Sequence, residues 1–146
     1  MPRVKLKEQP TYEFTHTLTV RVTDLNYANH LSNDAVIRLV HEARVQLLNT
    51  LGCHELNLDG YKTGIIMVDL VVNFLQEGFL FDTLEIESHV GDIGRKSFRL
   101  YHRINKAGTP LALIETGFVA FNYTARKTVP IPDTFLQALN KIVPSS

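Results

Sequence analysis

The sequence is poor in cysteine, has no long apolar run and carries no excess of either charge. Its single cysteine, Cys53, cannot form an internal disulfide, which suits a reducing compartment. Fifteen basic residues balance fifteen acidic residues, so no overall field draws the chain to nucleic acid or to an anionic membrane. A membrane-spanning helix needs about 18 consecutive apolar residues, and no such run occurs. No apolar stretch follows the basic start, so we expect no secretion signal and a cytoplasmic location.

Several common site motifs are also missing. His41 and Glu42 do not form a zinc-protease motif, because Val45 stands where the second histidine would be. No group of Cys and His residues has zinc-ligand spacing, and Cys53 beside His54 lacks a third group to orient a catalytic pair. Neither the glycine-rich dinucleotide fingerprint nor a Walker sequence occurs. These absences exclude the commonest zinc and nucleotide sites.

The composition is that of an ordinary globular protein. Hydrophobic residues make up 45% of the 146 residues and charged residues make up 21%. A chain of this length buries roughly 68–70% of its unfolded surface, so it needs neither a disulfide nor a metal to fold. We expect a single domain over residues 1–146, without repeats or an internal linker.

The first part of the chain predicts one strand followed by one long helix. Residues Tyr12–Thr23 alternate between apolar and polar side chains, which is the period of a half-buried strand. A polar loop follows over residues 24–32, and apolar residues then recur at helical spacing. The predicted helix runs from Asn33 or Asp34 to Leu51, with Ser32 or Asn33 as N-cap and Gly52 as the terminating glycine.

The rest of the chain predicts consecutive strands and a short terminal helix. The predicted strands are Gly64–Phe74, Thr83–Asp92, Lys96–Asn105 and Leu111–Tyr123, with Thr128–Ile131 continuing the last strand after a turn and Pro132–Val143 as the helix. Consecutive hairpins favour an antiparallel sheet, and the long helix must pack on it. The strand Gly64–Phe74 is apolar on both faces, which predicts a strand covered on both sides. The expected fold class is α+β.

The chemistry that the sequence offers is concentrated where the first strand gives way to the helix. The polar loop there carries Asp24, Asn26 and His30, and the helix starts at Asn33. The first backbone N–H groups of a helix have no internal partner and carry a partial positive charge, so they can bind a developing oxyanion. The alternative is a capped loop whose polar groups make ordinary hydrogen bonds.

This segment resembles the signature of the hotdog-fold acyl-CoA thioesterases, the group that includes 4-hydroxybenzoyl-CoA thioesterase and the plant acyl-ACP thioesterases. Their pattern is a strand ending in Arg, then Asp-x-Asp-x-x-Gly-His-Val-Asn-Asn, then a helix that contains Glu-Ala-Arg. The matching residues are Arg21, Asp24, His30, Asn33 and the run Glu42-Ala43-Arg44. The order of strands and helix also agrees over about residues 12–124.

The resemblance implies a fold, an assembly and a reaction. The fold would be a hotdog fold, with a long central helix wrapped by a curved antiparallel sheet of about five strands. The assembly would be a homodimer whose sheets join and whose active sites lie at the interface, often doubled to a tetramer. The reaction would be the hydrolysis of an acyl-CoA thioester to a free acid and coenzyme A, with no metal or redox cofactor. A non-catalytic acyl-CoA binding protein and a dehydratase-like lyase are the alternative functions.

The loop departs from the family pattern at three positions. The second Asp of the pattern, which acts as base or nucleophile in many members, is Asn26 here, the Gly before the His is Asn29, and the first Asn after it is Ser32. An amide is neither a base nor a good nucleophile. The resemblance then implies that Asn26 positions the thioester carbonyl or the attacking water. It also implies that Asp24 holds the loop and that the backbone N–H of Asn33 polarises the carbonyl.

Two residues compete for the role of general base, His30 and Asp69. Histidine side chains titrate near about pH 6.5, which suits a base at neutral pH. Asp69 stands inside an apolar strand, where burial would raise the pKa of its carboxyl toward the same range. The alternatives are a histidine that only packs or caps the loop, and an aspartate that pairs with Arg or His or faces solvent at a sheet edge.

A second candidate feature lies between two predicted strands, in residues 91–97. Its two glycines permit a tight connection. Arg95, Lys96 and the neighbouring Ser97 are the candidate residues for binding coenzyme A phosphates, which the resemblance also implies. The alternative is a solvated basic turn.

Overall fold

The computed structural model describes residues 3–60 and 62–142. In chain order its elements are β1 (Phe14–Thr19), α1 (Asn33–Thr50), β2 (Thr63–Phe74), β3 (Thr83–Gly91), β4 (Ser97–Lys106), β5 (Thr109–Asn122), β6 (Lys127–Thr128) and α2 (Asp133–Asn140). Among the described residues, no helix is both long and apolar enough to cross a membrane. The predicted α+β class is confirmed, and the expected end of the last helix at Val143 lies outside the described residues.

All strands belong to one antiparallel sheet of six strands, where about five were expected. The order is β1-β3-β4-β5-β2, with the short β6 paired to the end of β5. The predicted hairpins are confirmed for β3, β4 and β5, but β2 pairs with β5 and not with β3. The connection over residues 75–82 allows this arrangement because it runs across the end of the sheet. It is hydrogen-bonded to Leu111 at its start and to Val20 near its end.

Strand β1 ends at Thr19, earlier than the alternating pattern predicted. The next residues, Val22–Asp24, form a 3-10 turn in which the Asp24 carboxylate accepts a hydrogen bond from the backbone N–H of Arg21 at 2.9 Å. Short acidic side chains commonly compete with regular backbone pairing in this way. As a result Val22, an apolar position of the predicted alternation, is 69% exposed.

Helix α1 packs its apolar face on one side of the sheet. Its buried apolar residues recur at helical spacing: Ala35, Val36, Leu39, Val40, Ala43, Leu47 and Leu48. They meet the inward face of the sheet, where three apolar residues of β3 are buried: Leu84, Ile86 and Val90. Fully burying a side chain of this size contributes about 1.5–3 kcal/mol, so the contact fixes the position of the helix start. Ser32 is the N-cap, and Gly52 follows the helix with a φ of 76°.

Strand β2 is not covered on both sides within the chain, contrary to the expectation from its apolar sequence. A bulge between Met67 and Asp69 shifts its register with β5, and Val68 is 57% exposed. Its other edge has no strand partner among the described residues. An unpaired edge with exposed apolar side chains is typical of a surface that another chain covers.

Candidate functional site

The Asp24 carboxylate fixes the entrance to the loop before α1. It is fully buried and accepts hydrogen bonds from the backbone N–H of Arg21 at 2.9 Å and from the Arg21 guanidinium at 3.2 Å. Burial raises the pKa of this carboxyl, but the hydrogen bonds from Arg21 outweigh burial, so the pKa lies below its ordinary value. The Asp24 backbone oxygen also accepts from the N–H of Ser32 at 2.9 Å. The oxygens of Asp24 therefore hold the loop in place by hydrogen bonds within it.

The two polar atoms of the Asn26 side chain have different roles, because only the oxygen is hydrogen-bonded to the loop. Its Oδ1 accepts from the backbone N–H groups of Ala28 at 2.9 Å and His30 at 3.3 Å. Its Nδ2 has no acceptor in the described part of the chain. Because the oxygen already holds the turn, Asn26 presents a neutral hydrogen-bond donor.

Asn29 adopts the backbone conformation for which the family pattern uses glycine. Its φ is 65°, in the left-handed region. Asparagine is among the few residues with a side chain that enter this region readily. Its backbone N–H donates to the backbone carbonyl oxygen of Asn26 at 3.0 Å, so the departure from glycine leaves the turn in place.

The start of α1 offers an unpaired backbone donor beside Asn26. Ser32 caps the helix, and its Oγ accepts from the N–H of Ala35 at 3.2 Å. Within residues 3–60 and 62–142, no oxygen accepts a hydrogen bond from the N–H of Asn33. This N–H lies at the positive end of the helix dipole, where a negative oxygen is stabilised.

His30 lines the same cleft as Asn26 and Asn33. The imidazole is 33% exposed, its Nε2 lies 3.6 Å from Oε1 of Glu77, and it meets the ring of Phe79 edge-on at 6.0 Å. The cleft has a volume of about 280 Å³ and is lined by Asn26, His30, Asn33, Phe74, Gln76 and Glu77, among others. Three of the predicted site residues are thus brought together.

The connection after β2 completes this cleft, and the sequence pattern did not identify it. Gln76, Glu77 and Gly78 lie against the loop, and the Gly78 carbonyl accepts from the N–H of Leu31 at 2.7 Å. A Cβ at position 78 would lie 3.1 Å from the Leu31 side chain, a tight contact that glycine avoids. The available signal was a polar run ending in glycine directly after an apolar strand.

Asp69 does not meet the expectation of a buried carboxyl with a raised pKa. Its side chain is 48% exposed on the outer face of the sheet, and the Arg99 guanidinium binds both of its oxygens, at 2.5 and 3.1 Å. The hydrogen bond from Arg99 holds the pKa of Asp69 below its ordinary value. The bulge before Asp69 and the absence of a side chain at Gly117 make room for this pair. Asp69 is five residues from the end of β2, about 17 Å from the cleft.

Arg95, Lys96 and Ser97 lie at the opposite end of the sheet from the cleft. They follow β3, whose length over nine residues spans about 30 Å. Arg95 and Lys96 accept through their backbone oxygens from Ile131 and Ala120, which hold the turn beside the end of β5. Within one chain, the structure does not bring these residues to the loop.

The run Glu42-Ala43-Arg44 lies in the middle of α1 and anchors the helix. Arg44 is 7% exposed, donates from Nε to Glu55 at 2.6 Å and lies 5.0 Å over the ring of Phe118. Glu42 is on the solvent side, where it accepts from Gln46 at 3.5 Å. This part of the pattern supports the helix and does not reach the cleft.

The described residues around the cleft do not form a group of metal ligands. In the described ranges, no three His, Cys, Asp or Glu side chains are grouped so that they could hold a metal ion. Cys53 is half-buried behind the helix, and burial raises the pKa of its thiol to about 11. The groups that the cleft can bring to a substrate are hydrogen-bond donors, one imidazole and the Glu77 carboxylate.

Comparison with protein families agrees with this geometry. The family model described as the thioesterase-like superfamily matches residues 20–139. The chain belongs to the thioesterase-like superfamily. Among curated protein sequences, none matches the chain. The predicted membership of a thioester-hydrolase family is therefore confirmed by the family model.

Solved structures resemble this thioesterase-like protein over most of its length. A 1,4-dihydroxy-2-naphthoyl-CoA thioesterase from Synechocystis has a TM-score of 0.81 at 19% identity, covering 90% of this chain and 98% of that one. A Staphylococcus aureus protein in complex with CoA has a TM-score of 0.82 at 19% identity, covering 91% and 87%. A gentisyl-coenzyme A thioesterase has a TM-score of 0.76 at 23% identity, covering 85% and 98%. These likenesses establish the hotdog fold.

Proposed function

We propose that this thioesterase-like protein hydrolyses an acyl-CoA thioester to a free acid and coenzyme A. The observation that carries the proposal is the pair of unused donors in one cleft, the N–H of Asn33 and the Nδ2 of Asn26. Two similar structures are named as CoA thioesterases, and a third was solved with CoA, which supports the choice of substrate.

The donors would stabilise the negative charge that develops on the thioester oxygen. In this mechanism the thioester carbonyl oxygen accepts from the Asn33 N–H, at the positive end of α1, and from Asn26. A water attacks the carbonyl carbon, and the tetrahedral oxyanion is held by these two donors. When the carbon–sulfur bond breaks, the acid remains and the coenzyme A sulfur leaves.

His30 would act as the general base. It takes a proton from the attacking water and returns a proton to the leaving sulfur, so the proton balance closes. Glu77, 3.6 Å from its Nε2, would stabilise the imidazolium that forms between these steps. His30 is preferred to Asp69, because Asp69 is about 17 Å away and paired with Arg99. Asp24 and Ser32 would hold the loop.

The proposed enzyme is a homodimer that joins two sheets along β2. The exposed Val68 and the unpaired edge of β2 support this choice of edge. An antiparallel joint would bring the far end of the partner's sheet toward the cleft, and with it the partner's Arg95, Lys96 and Ser97 as phosphate-binding residues. The finer hotdog arrangement, a curved sheet around a central α1, is part of the same proposal. Sedimentation of wild type and Val68→Lys should show a dimer that the substitution weakens.

Thiol release from a panel of acyl-CoAs, read with a thiol-reactive dye, tests the reaction. We expect release above background for at least one acyl group. The half-buried Cys53, with its raised thiol pKa, should react slowly, and protein without substrate corrects for it. Binding of acyl-CoA without release of thiol from any of them would contradict the enzyme and favour the non-catalytic binding protein, to which an amide at position 26 is suited.

A further inference from the structure

The segment before β1 is fastened across the outer face of the sheet beside β2. The Asn73 side chain holds it twice, because its Oδ1 accepts from the N–H of Leu6 at 2.8 Å and its Nδ2 donates to the Val4 oxygen at 2.9 Å. Farther along the segment, Glu8 pairs with Arg103 of β4 at 2.9 Å. These long-range contacts fix the course of the segment against the sheet.

This segment carries positive charge that the chain does not neutralise. Arg3, Lys5 and Lys7 are exposed, and none of them has an acidic partner among the described residues. The two acids of the segment, Glu8 and Glu13, are already paired with Arg103 and His89. Most other basic groups of the sheet are in ion pairs, as Arg99 is with Asp69 and Glu115. Arg3, Lys5 and Lys7 therefore remain available to bind an anion where the segment lies beside β2.

Two of these cations line a cleft that adjoins the candidate active site. The cleft has a volume of about 580 Å³ between the segment and β2, and Arg3, Lys5 and Phe74 are among its lining residues. Phe74 also lines the cleft of Asn26 and His30. The two clefts thus meet at a single side chain.

We propose that Arg3 and Lys5 bind phosphate groups of the coenzyme A portion of the substrate, in addition to the partner's Arg95, Lys96 and Ser97. The inference rests on the proposed function, which puts the thioester at Asn26 and Asn33. The phosphate-bearing end of such a substrate must extend out of that cleft, and the cleft lined by Arg3 and Lys5 adjoins it at Phe74. Arginine and lysine are the side chains best suited to phosphate oxygens. Arg95 and Lys96 of the same chain, about 30 Å away, do not serve this end.

Steady-state kinetics of the double variant Arg3→Ala/Lys5→Ala test this site with two matched substrates. For an acyl-CoA, KM should rise about 5- to 30-fold with kcat unchanged, the size expected for losing two exposed charge contacts. For the pantetheine thioester of the same acid, which has no phosphate, KM should not change. Lys127→Ala removes an exposed cation from β6 at the far end of the sheet and should leave both substrates unaffected.

The outcomes separate this site from the proposed reaction. An equal rise in KM for both substrates, or no rise for either, would overturn the phosphate site while leaving the reaction intact. A larger effect on the same acyl group carried by an acyl carrier protein would assign the cations to that acidic partner and also overturn it. Calorimetry with coenzyme A alone gives an independent reading: if wild type releases no thiol yet binds coenzyme A more tightly than the double variant, the reaction fails and the phosphate site stands.

Discussion

Two polar clusters of this chain use their hydrogen-bonding groups in opposite ways. In the loop before α1, the Nδ2 of Asn26 and the N–H of Asn33 have no partner in the described structure. On the outer face of the sheet, Asp69, Arg99 and Glu115 satisfy one another at 2.5 Å. A group that is already paired must break a contact before it can serve a substrate, whereas a free donor at a helix start is ready to bind one. The comparison therefore assigns the chemistry to the loop.

The largest effect should come from removing His30, the proposed general base in the loop before α1. His30→Ala should lower kcat about 10²- to 10⁴-fold, because general-base help contributes that much. The matched substitution in the other cluster, Asp69→Asn, should leave kcat within about twofold. Acyl-CoA hydrolysis at saturating substrate measures both. A reversed order, with Asp69→Asn inactive and His30→Ala active, would move the chemistry to the outer face.

Asp24→Asn should have the next largest effect, on stability. The Asp24 carboxylate is buried and accepts charge-assisted hydrogen bonds from Arg21, so its loss should lower the free energy of unfolding by about 1.5–3 kcal/mol. Asp34→Asn, at an exposed position in the first turn of α1, is the control and should have a much smaller effect than Asp24→Asn. Urea unfolding measures both.

The Asp24 carboxylate also makes the free energy of unfolding depend on pH. The pKa of Asp24 is lower in the folded state than in the unfolded chain, where an aspartate titrates near about 3.9. Its contribution is therefore fully present above that value and is lost as pH falls through the folded pKa. Unfolding curves should show wild type and Asp24→Asn converging in acid. A difference that stays constant from neutral pH into acid would contradict the role given to this carboxylate.

The smallest predicted effect is the loss of stability caused by a substitution in the outer-face cluster of Asp69, Arg99 and Glu115. Asp69 is half exposed, and exposed ion pairs contribute about 0–1 kcal/mol, so Asp69→Asn should lower the free energy of unfolding by less than about 1 kcal/mol. Thermal or urea unfolding is the measurement. A loss as large as that of Asp24→Asn would show that the two clusters do not differ in the way their geometry indicates.

The parts of the fold predicted correctly from sequence are those set by local pattern. The bounds of α1 follow from a helical apolar period between Ser32 and Gly52, and α1 was predicted to within about a residue. The pairing of β2 with β5 was not predicted, because it depends on where the connection over residues 75–82 runs. Strand β1 was predicted too long, because the capping contact of Asp24 ends it and leaves the alternation unchanged.

The loop residues of the candidate site were predicted from the sequence, but the residues that surround the loop were not. Asn26, His30 and Asn33 are close in sequence, so one loop brings them together. Gln76, Glu77 and Gly78 join them only through the tertiary fold. For Asp69, the apolar neighbours in sequence indicated burial, but a bulge directs the side chain outward to Arg99. A single extra residue in a strand changes which face is buried, and the apolar pattern does not reveal it.

The central claim is that Asn26 serves as a hydrogen-bond donor to the thioester oxygen and not as a substitute base. The measurement is kcat/KM for acyl-CoA hydrolysis by wild type, Asn26→Ala and Asn26→Asp. The aspartate keeps the oxygen that accepts from Ala28 and His30, so it preserves the loop while it replaces the donor with a negatively charged acceptor. We expect both variants to lose about 10²- to 10³-fold, the value of one oxyanion donor. An increase in activity for Asn26→Asp would contradict the donor role and show that the site works with a carboxylate base at this position.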